Sequence, residues 1–125
     1  MIVPVPASIR PAAELGRVHF VGVGGAALSG LARLMSELGV IVSGSDAKDS
    51  SVRATLRDLG VHVFVGHLAE HVDGADVVVV STAVPEDNAE VMRARELGIE
   101  LWPRAAAVQS VMLGRRAVVV TGTHG

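Results

Sequence analysis

The sequence lacks several kinds of residue, and each absence narrows the range of functions. It has no cysteine, which excludes disulfide and thiolate chemistry and agrees with a cytoplasmic location. Its formal net charge is −2 and it contains no basic run, so we expect no nucleic acid as partner. No apolar run reaches the roughly 18 to 20 residues of a membrane helix, so we expect no membrane partner either.

Aromatic side chains are also scarce, since Phe20, Phe64 and Trp102 are the only ones in 125 residues. Half of the residues are apolar, which is enough for one domain with a core of valine, leucine, alanine and methionine. Short apolar runs alternate with segments of helical periodicity, a rhythm typical of repeated βαβ units. We therefore predict a single α/β domain of Rossmann-like type, with a mostly parallel sheet and helices on both faces.

The periodicity also gives approximate bounds for each element. The predicted strands are 17–22, 40–43, 61–65, 76–81, 99–102 and 116–121. The predicted helices are 25–38, 50–59, a short one within 66–75, 88–97 and 104–113. Prolines interrupt residues 1–16, which we expect to form a loose lead-in to a domain spanning 17–121.

A glycine-rich turn joins the first predicted strand to the first predicted helix. It reads Gly22-Val23-Gly24-Gly25-Ala26-Ala27. Gly22 permits a tight turn, Gly24 lets a diphosphate approach the backbone, and a small Ala27 lets the helix lie close to the strand. The turn therefore predicts a nucleotide-phosphate site at the helix start. The alternative is that these small residues serve only helix–strand packing.

Polar residues follow two further predicted strands. Asp46 stands where such folds usually place a carboxylate against a ribose or a base, so it can accept from ribose hydroxyls or from the imide N–H of uracil. A role as a simple turn residue stays open. Ser81 and Thr82 follow four consecutive valines, and their hydroxyls either meet phosphate or satisfy local backbone groups.

Histidines raise the question of a metal site. His67 and His71 have a ligand-like spacing, but zinc needs a third or fourth protein ligand, and we predict no metal site. His67 follows the third predicted strand, where it can touch a nucleotide. His19 and His62 are expected to be satisfied within the core or on a sheet face.

The chain ends in Gly122-Thr123-His124-Gly125 directly after an apolar run, which suggests the truncated start of a second phosphate loop. These residues do not meet the general phosphate-loop pattern, so the pattern alone leaves them ambiguous.

Four motifs in this order resemble the Mur ligases of peptidoglycan synthesis. They are His19 to Ala26, Ser43-Gly44-Ser45-Asp46, Ser81 to Asn88, and Gly122-Thr123-His124-Gly125. In that family an N-terminal Rossmann-like domain binds the UDP part of a nucleotide sugar, a central domain binds ATP and Mg²⁺, and a third domain helps to bind the amino acid. The resemblance implies that this chain binds UDP-N-acetylmuramate, and that L-alanine and ATP bind to domains it lacks.

The resemblance also implies roles for particular residues. The nucleotide sugar would lie against a set that shares the carboxyl edge of the sheet: Gly22, Gly24, Gly25, Ala26, Ala27, Ser45, Asp46, His67, Ser81 and Thr82. Asp46 would face the uracil, and residues 122–125 would begin the ATP loop of the central domain. No catalytic residue is expected in this chain. Ala27 departs from the glycine usual in the family, and its methyl group is expected either to shift the diphosphate or to weaken binding slightly.

Two other functions, both involving a nicotinamide cofactor, remain compatible with the sequence alone. A small regulatory domain that binds NAD has a similar length, glycine loop and acidic residue. The cofactor domain of a dehydrogenase has them too. Neither of these alternatives requires the closing Gly122-Thr123-His124-Gly125.

Overall fold

The structure is a computed structural model that describes the backbone of residues 1–123 and the side chains of residues 1–113. Its centre is a sheet of five parallel strands in the order β3-β2-β1-β4-β5. The strands are β1 Arg17–Val21, β2 Ile41–Asp46, β3 His62–Val65, β4 Val77–Val80 and β5 Glu100–Trp102. The chain leaves β1 toward β2 on one side and returns to β4 on the other. The predicted α/β class with a parallel sheet is confirmed.

Four α-helices and two short 3₁₀ helices cover this sheet. The α-helices are α1 Ala26–Glu37, α2 Ser51–Asp58, α3 Ala89–Leu97 and α4 Arg104–Thr123, and the 3₁₀ helices are Ala12–Glu14 and Ala69–Val72. Helices α1, α2 and α4 pack on one face, whereas α3 and the second 3₁₀ helix pack on the other. Helices therefore cover both faces, as predicted. Most element bounds agree with the sequence-based ones within a few residues.

The alternation of side chains along each strand divides the core in two. Val18 and Phe20 of β1 point into a cluster with α1 and α4, while Val21 points into a cluster with α3. Strand β4 divides its four valines in the same way, and all four are buried. This pattern is that of a central strand covered on both faces.

Two sequence-based expectations about the ends of the domain differ from the structure. Residues 1–16 are not a loose lead-in, because Ala12 and Leu15 are fully buried and the Ser110 hydroxyl donates to the Arg10 carbonyl at 2.6 Å. The predicted strand 116–121 is wrong, since α4 continues to Thr123. A short apolar run is compatible with either a strand or a helix. A helix satisfies its backbone N–H and C=O groups internally, whereas a strand needs a neighbouring strand to do so.

The predicted ATP loop falls on this same end of the chain. Gly122 and Thr123 belong to the backbone of α4, and His124 and Gly125 lie outside the described residues. The loop therefore stays a prediction. Over residues 1–123, the structure has no helix that is both long and apolar enough to cross a membrane.

Candidate functional site

A cleft of about 450 Å³ opens at the carboxyl edge of the sheet, beyond the ends of β1 and β4. It is lined by Gly22, Gly25, Asp46, Ala47, His67, Ser81, Ala83, Val84, Pro85 and Asn88. In open parallel sheets, ligands bind where the strand order reverses, and β1 and β4 form that point here. Half of these lining residues belong to the site predicted from the sequence.

The first turn of the glycine loop is fastened to the end of β2. The backbone N–H groups of Gly22 and Val23 both donate to the carbonyl of Ser45, at 2.8 and 3.0 Å. Gly22 has a φ of +84°, and a Cβ there would lie 2.9 Å from the Cβ of Ser81. Both the backbone conformation and the lack of space therefore require glycine at this turn.

Asp46 holds the second part of the loop. Its Oδ2 accepts from the Gly24 N–H at 2.8 Å, and its Oδ1 accepts from the Lys48 N–H at 3.3 Å. A Cβ on Gly24 would lie 2.6 Å from that same Oδ2. The sequence explains Gly24 by the approach of a diphosphate, and the structure adds a second reason, namely the space that the Asp46 carboxylate needs.

The start of α1 supplies hydrogen-bond donors to the wall of the cleft. Gly25 is the N-cap of this helix, and no described side chain caps its free N–H groups. The first N–H groups of a helix and its positive dipole end attract anions. Ala26 and Ala27 are exposed and lie outside the cleft lining. The expectation that Ala27 packs against the strand is wrong, because Leu28 is the residue that points into the core.

The residues after β4 divide into one that lines the cleft and one that does not. Ser81 lines it, donates its backbone N–H to the Val21 carbonyl at 3.1 Å, and accepts from the Ala83 N–H on its Oγ at 3.2 Å. Thr82 is exposed outside the lining, and its carbonyl accepts from the amino group of Met1 at 2.8 Å. Ser81 and Asp46 are thus brought together, whereas Thr82 is not.

A buried carboxylate that the sequence motifs do not predict lies behind the cleft. Glu90, on the first turn of α3, is fully buried. Its Oε1 accepts from the Ser45 hydroxyl at 2.8 Å and from Nε2 of His19 at 2.5 Å. Its Oε2 lies 3.0 Å from Nδ1 of His67 and 3.1 Å from Nδ1 of His71. We call these five residues the Glu90 cluster.

The environment of Glu90 keeps it ionised. Burial raises the pKa of its carboxyl, but hydrogen bonds from His19, Ser45 and His71 and the electrostatic attraction of His19 outweigh this and hold the pKa at about 2. An ionised carboxylate only accepts hydrogen bonds, and its two oxygens offer about four sites. No side-chain nitrogen or oxygen buried in the described part of the chain lacks a partner.

The Glu90 cluster explains most of the histidines. His19 is fully buried and its Nδ1 lies 2.8 Å from the Ser43 hydroxyl, so the expectation of a satisfied core histidine is confirmed. His62 is exposed and packs edge-on against Phe64, with ring centroids 4.4 Å apart. His67 and His71 both direct Nδ1 at one carboxylate oxygen. Within the described residues, no group of three possible ligands is placed to hold a metal ion.

Glu90 left a weak signal in the sequence. Helical spacing places it on the same stripe as Val91 and Ala94, which are buried, and a carboxylate on such a stripe requires partners. Those partners come from three other elements, which the sequence alone does not bring together. Asn88 is the N-cap of α3, since its side chain accepts from the N–H groups of Glu90 and Val91.

Taken together, the strand order, the glycine loop before a helix and the carboxylate after the neighbouring strand define an α/β domain of Rossmann-like type. Comparison with known proteins gives the family. The protein-family model described as "Mur ligase family, catalytic domain" matches residues 17–116, and the chain belongs to that family.

Individual relatives agree with this family. The chain is 55% identical over its whole length to a UDP-N-acetylmuramate--L-alanine ligase from Nocardioides sp. (strain ATCC BAA-499 / JS614), of which it covers 28%. It is 54% identical over 112 residues, or 90% of its length, to the ligase of the same name from Thermobifida fusca, of which it covers 24%. The chain thus spans about a quarter of the length of these relatives.

Solved structures agree as well. A UDP-N-acetylmuramate-alanine ligase from Thermotoga maritima superposes with a TM-score of 0.73 at 33% identity, covering 77% of this chain and 22% of that one. A putative NAD-dependent epimerase/dehydratase from Bacillus halodurans has a TM-score of 0.54 at 16% identity, over 82% of this chain and 64% of that one. The second likeness shows the fold alone.

Proposed function

We propose that this chain is the UDP-N-acetylmuramate-binding part of a UDP-N-acetylmuramate--L-alanine ligase. The observation that carries the proposal is the cleft at the carboxyl edge, which five residues predicted from the sequence line together: Gly22, Gly25, Asp46, His67 and Ser81. A volume of about 450 Å³ lies within the range of small-molecule sites. The names of the relatives support the choice of nucleotide sugar.

The chemistry of the cleft matches the parts of such a ligand. The uncapped N–H groups at the start of α1 suit a diphosphate, and the Ser81 hydroxyl adds a donor beside the glycine loop. Asp46 is a hydrogen-bond acceptor for the uridine. Ser45 contributes through its carbonyl, which fixes the loop.

For the whole enzyme we propose an ATP-dependent ligation in the cytoplasm. The carboxylate of UDP-N-acetylmuramate would attack the γ-phosphorus of ATP, so that an acyl phosphate forms and ADP leaves, and Mg²⁺ would balance the charge of the phosphate groups. The amine of L-alanine then attacks the acyl carbon, so that an amide forms and phosphate leaves. Residues 122–125 would begin the loop that meets ATP. The part played by this chain is to hold the nucleotide sugar, and we expect it to show no turnover alone.

Calorimetry with the chain and its Asp46→Ala variant tests this proposal. We expect saturable binding of UDP-N-acetylmuramate, and none of NAD at the same concentrations. Loss of the Asp46 carboxylate removes a ligand contact and the acceptor of the Gly24 N–H, so the variant should bind about tenfold more weakly and remain folded. Unchanged affinity would remove Asp46 from the site, and binding of NAD alone would overturn the proposal.

A further inference from the structure

His67 connects the cleft to the Glu90 cluster. His67 is one of the residues that line the cleft, its side chain is 19% exposed, and its Nδ1 points inward to Glu90. Nδ1 lies 3.0 Å from Oε2 of Glu90 and 3.0 Å from Oγ of Ser45. The Nδ1 edge of the imidazole therefore contacts the buried Glu90 cluster, while another part of the side chain is exposed.

These distances determine which ring nitrogen carries the proton. The Glu90 carboxylate is ionised and only accepts hydrogen bonds. The single hydroxyl proton of Ser45 is donated to Oε1 of Glu90 at 2.8 Å. Both neighbours therefore present acceptors to Nδ1 of His67, and Nδ1 must be the protonated nitrogen. An unprotonated Nδ1 would place two lone pairs against each other at 3.0 Å.

The second nitrogen of His67 faces outward. Within the described residues, Nε2 has no hydrogen-bond partner, and no buried side-chain nitrogen or oxygen lacks one, so Nε2 is accessible to solvent. In a neutral imidazole with Nδ1 protonated, Nε2 is a hydrogen-bond acceptor. The cleft thus has donors at the start of α1 and acceptors at Asp46 and His67.

We propose that Glu90 is a positioning residue that holds the neutral imidazole of His67 with Nε2 as an acceptor, and that this nitrogen accepts a hydrogen bond from the uridine. The inference rests on the proposed function. An acceptor does not suit a phosphate oxygen, so the matching groups of a nucleoside diphosphate are the imide N–H of the base and the ribose hydroxyls. Glu90 acts through His67 and does not touch the ligand.

The first test needs no ligand. Imidazole nitrogen chemical shifts distinguish the two neutral tautomers, and we expect His67 to carry its proton on Nδ1. In Glu90→Gln one acceptor oxygen becomes an NH₂ donor, so His67 should lose its pure Nδ1–H form. Glu96→Gln is the matched control, because Glu96 lies on the same helix with its side chain 65% exposed. A proton on Nε2 of His67 in the unaltered chain overturns the inference.

The second test identifies the ligand group. Affinities of the chain and of His67→Phe are measured for UDP, for UDP methylated on the imide nitrogen, and for UDP lacking the 2′-hydroxyl. We expect one analogue to bind the unaltered chain about tenfold more weakly than UDP, and this preference to vanish in His67→Phe. Loss with the methylated analogue assigns the base, and loss with the deoxy analogue assigns the ribose.

Two further outcomes separate this inference from the proposed function. If UDP binds but His67→Phe keeps every preference, the inference fails and the proposed function stands. If the unaltered chain binds neither UDP nor UDP-N-acetylmuramate, the proposed function fails together with the uridine contact. If Glu90→Gln does not fold, the tautomer of the unaltered chain and the His67→Phe comparison still decide the result.

Discussion

The two faces of the sheet are both buried but are built from different chemistry. Under α1 and α4 the contacts are almost entirely apolar, with Phe20 and Trp102 as the largest fully buried side chains. Under α3 the valines of β1 and β4 share the interior with the Glu90 cluster. The stability of the first face depends on how well its side chains fill the available volume. The stability of the second face depends also on the direction of each hydrogen bond.

The difference between the faces extends to function. We call the side under α1 and α4 the apolar face and the side under α3 the polar face. The polar face reaches the cleft through His67, whereas the glycine loop before α1 is the part of the apolar face that lines the cleft among the described residues. We therefore expect changes on the apolar face to alter stability alone. Changes on the polar face should alter stability and ligand binding together.

The largest effect is expected from Trp102→Ala. The indole is fully buried under α4, and replacing a large buried aromatic side chain leaves a cavity that costs about 4 kcal/mol of unfolding free energy. Urea unfolding followed by circular dichroism measures the loss. Val108→Ala, at a position 37% exposed, is the control and should cost much less. A large drop in nucleotide affinity with Trp102→Ala would break the division between the faces.

The next effect is the acid sensitivity of the polar face. The pKa of Glu90 is about 2 in the folded chain against 4.5 for the free group, so the unfolded chain binds the proton first as pH falls. The carboxylate therefore contributes about 3 kcal/mol above pH 4.5, which is lost as the pH falls toward 2. Urea unfolding at a series of pH values measures it. Glu90→Gln should flatten this acid limb, and Glu96→Gln should retain it.

Two glycines of the loop separate stability from binding. Gly22→Ala places a Cβ at a positive φ and 2.9 Å from Ser81, so it should lower the unfolding free energy by about 2 kcal/mol. A Cβ on Gly25 meets nothing within 4 Å, so Gly25→Ala should fold normally. Because Gly25 lines the cleft, its methyl group would occupy the place of a diphosphate and weaken binding about tenfold. Unchanged affinity in Gly25→Ala would move the diphosphate away from the loop.

The smallest effect is expected from an exposed carboxylate. Glu37 pairs with Arg33 across one turn of α1 at 3.3 Å, and both side chains are more than half exposed. Glu37→Gln should cost about 0.3 kcal/mol at low salt and less at high salt. Comparison with Glu90→Gln sharpens the contrast between a solvated ion pair and a buried carboxylate. Equal effects of the two variants on urea unfolding would contradict the assigned role of burial.

Much of the fold was predictable because it depends on local patterns. Alternating apolar runs gave the parallel sheet, and glycines such as Gly98 marked helix ends, where the structure places it in the left-handed conformation. The last predicted strand failed because an apolar run without a partner strand is compatible with a helix. The packing of residues 1–16 was missed because the contacts are long-range, as between Ser110 and Arg10.

The candidate site was predictable where its residues directly follow a strand. Gly22, Asp46 and Ser81 each follow a strand, and parallel strands bring their carboxyl ends to one edge. Glu90 was missed because its partners come from β1, β2 and the segment after β3, and only the tertiary fold unites them. The second role of Gly24 depends on the position of the Asp46 carboxylate, which the spacing does not define.

The most direct test of the account is an amide NMR titration of the chain with UDP-N-acetylmuramate, with NAD and ATP in parallel. We expect saturable shifts at the cleft residues Gly25, Asp46, His67 and Ser81 with the nucleotide sugar alone, and no saturable shifts around Trp102 on the apolar face. Shifts with NAD alone, or shifts with the nucleotide sugar that avoid the cleft, would contradict it.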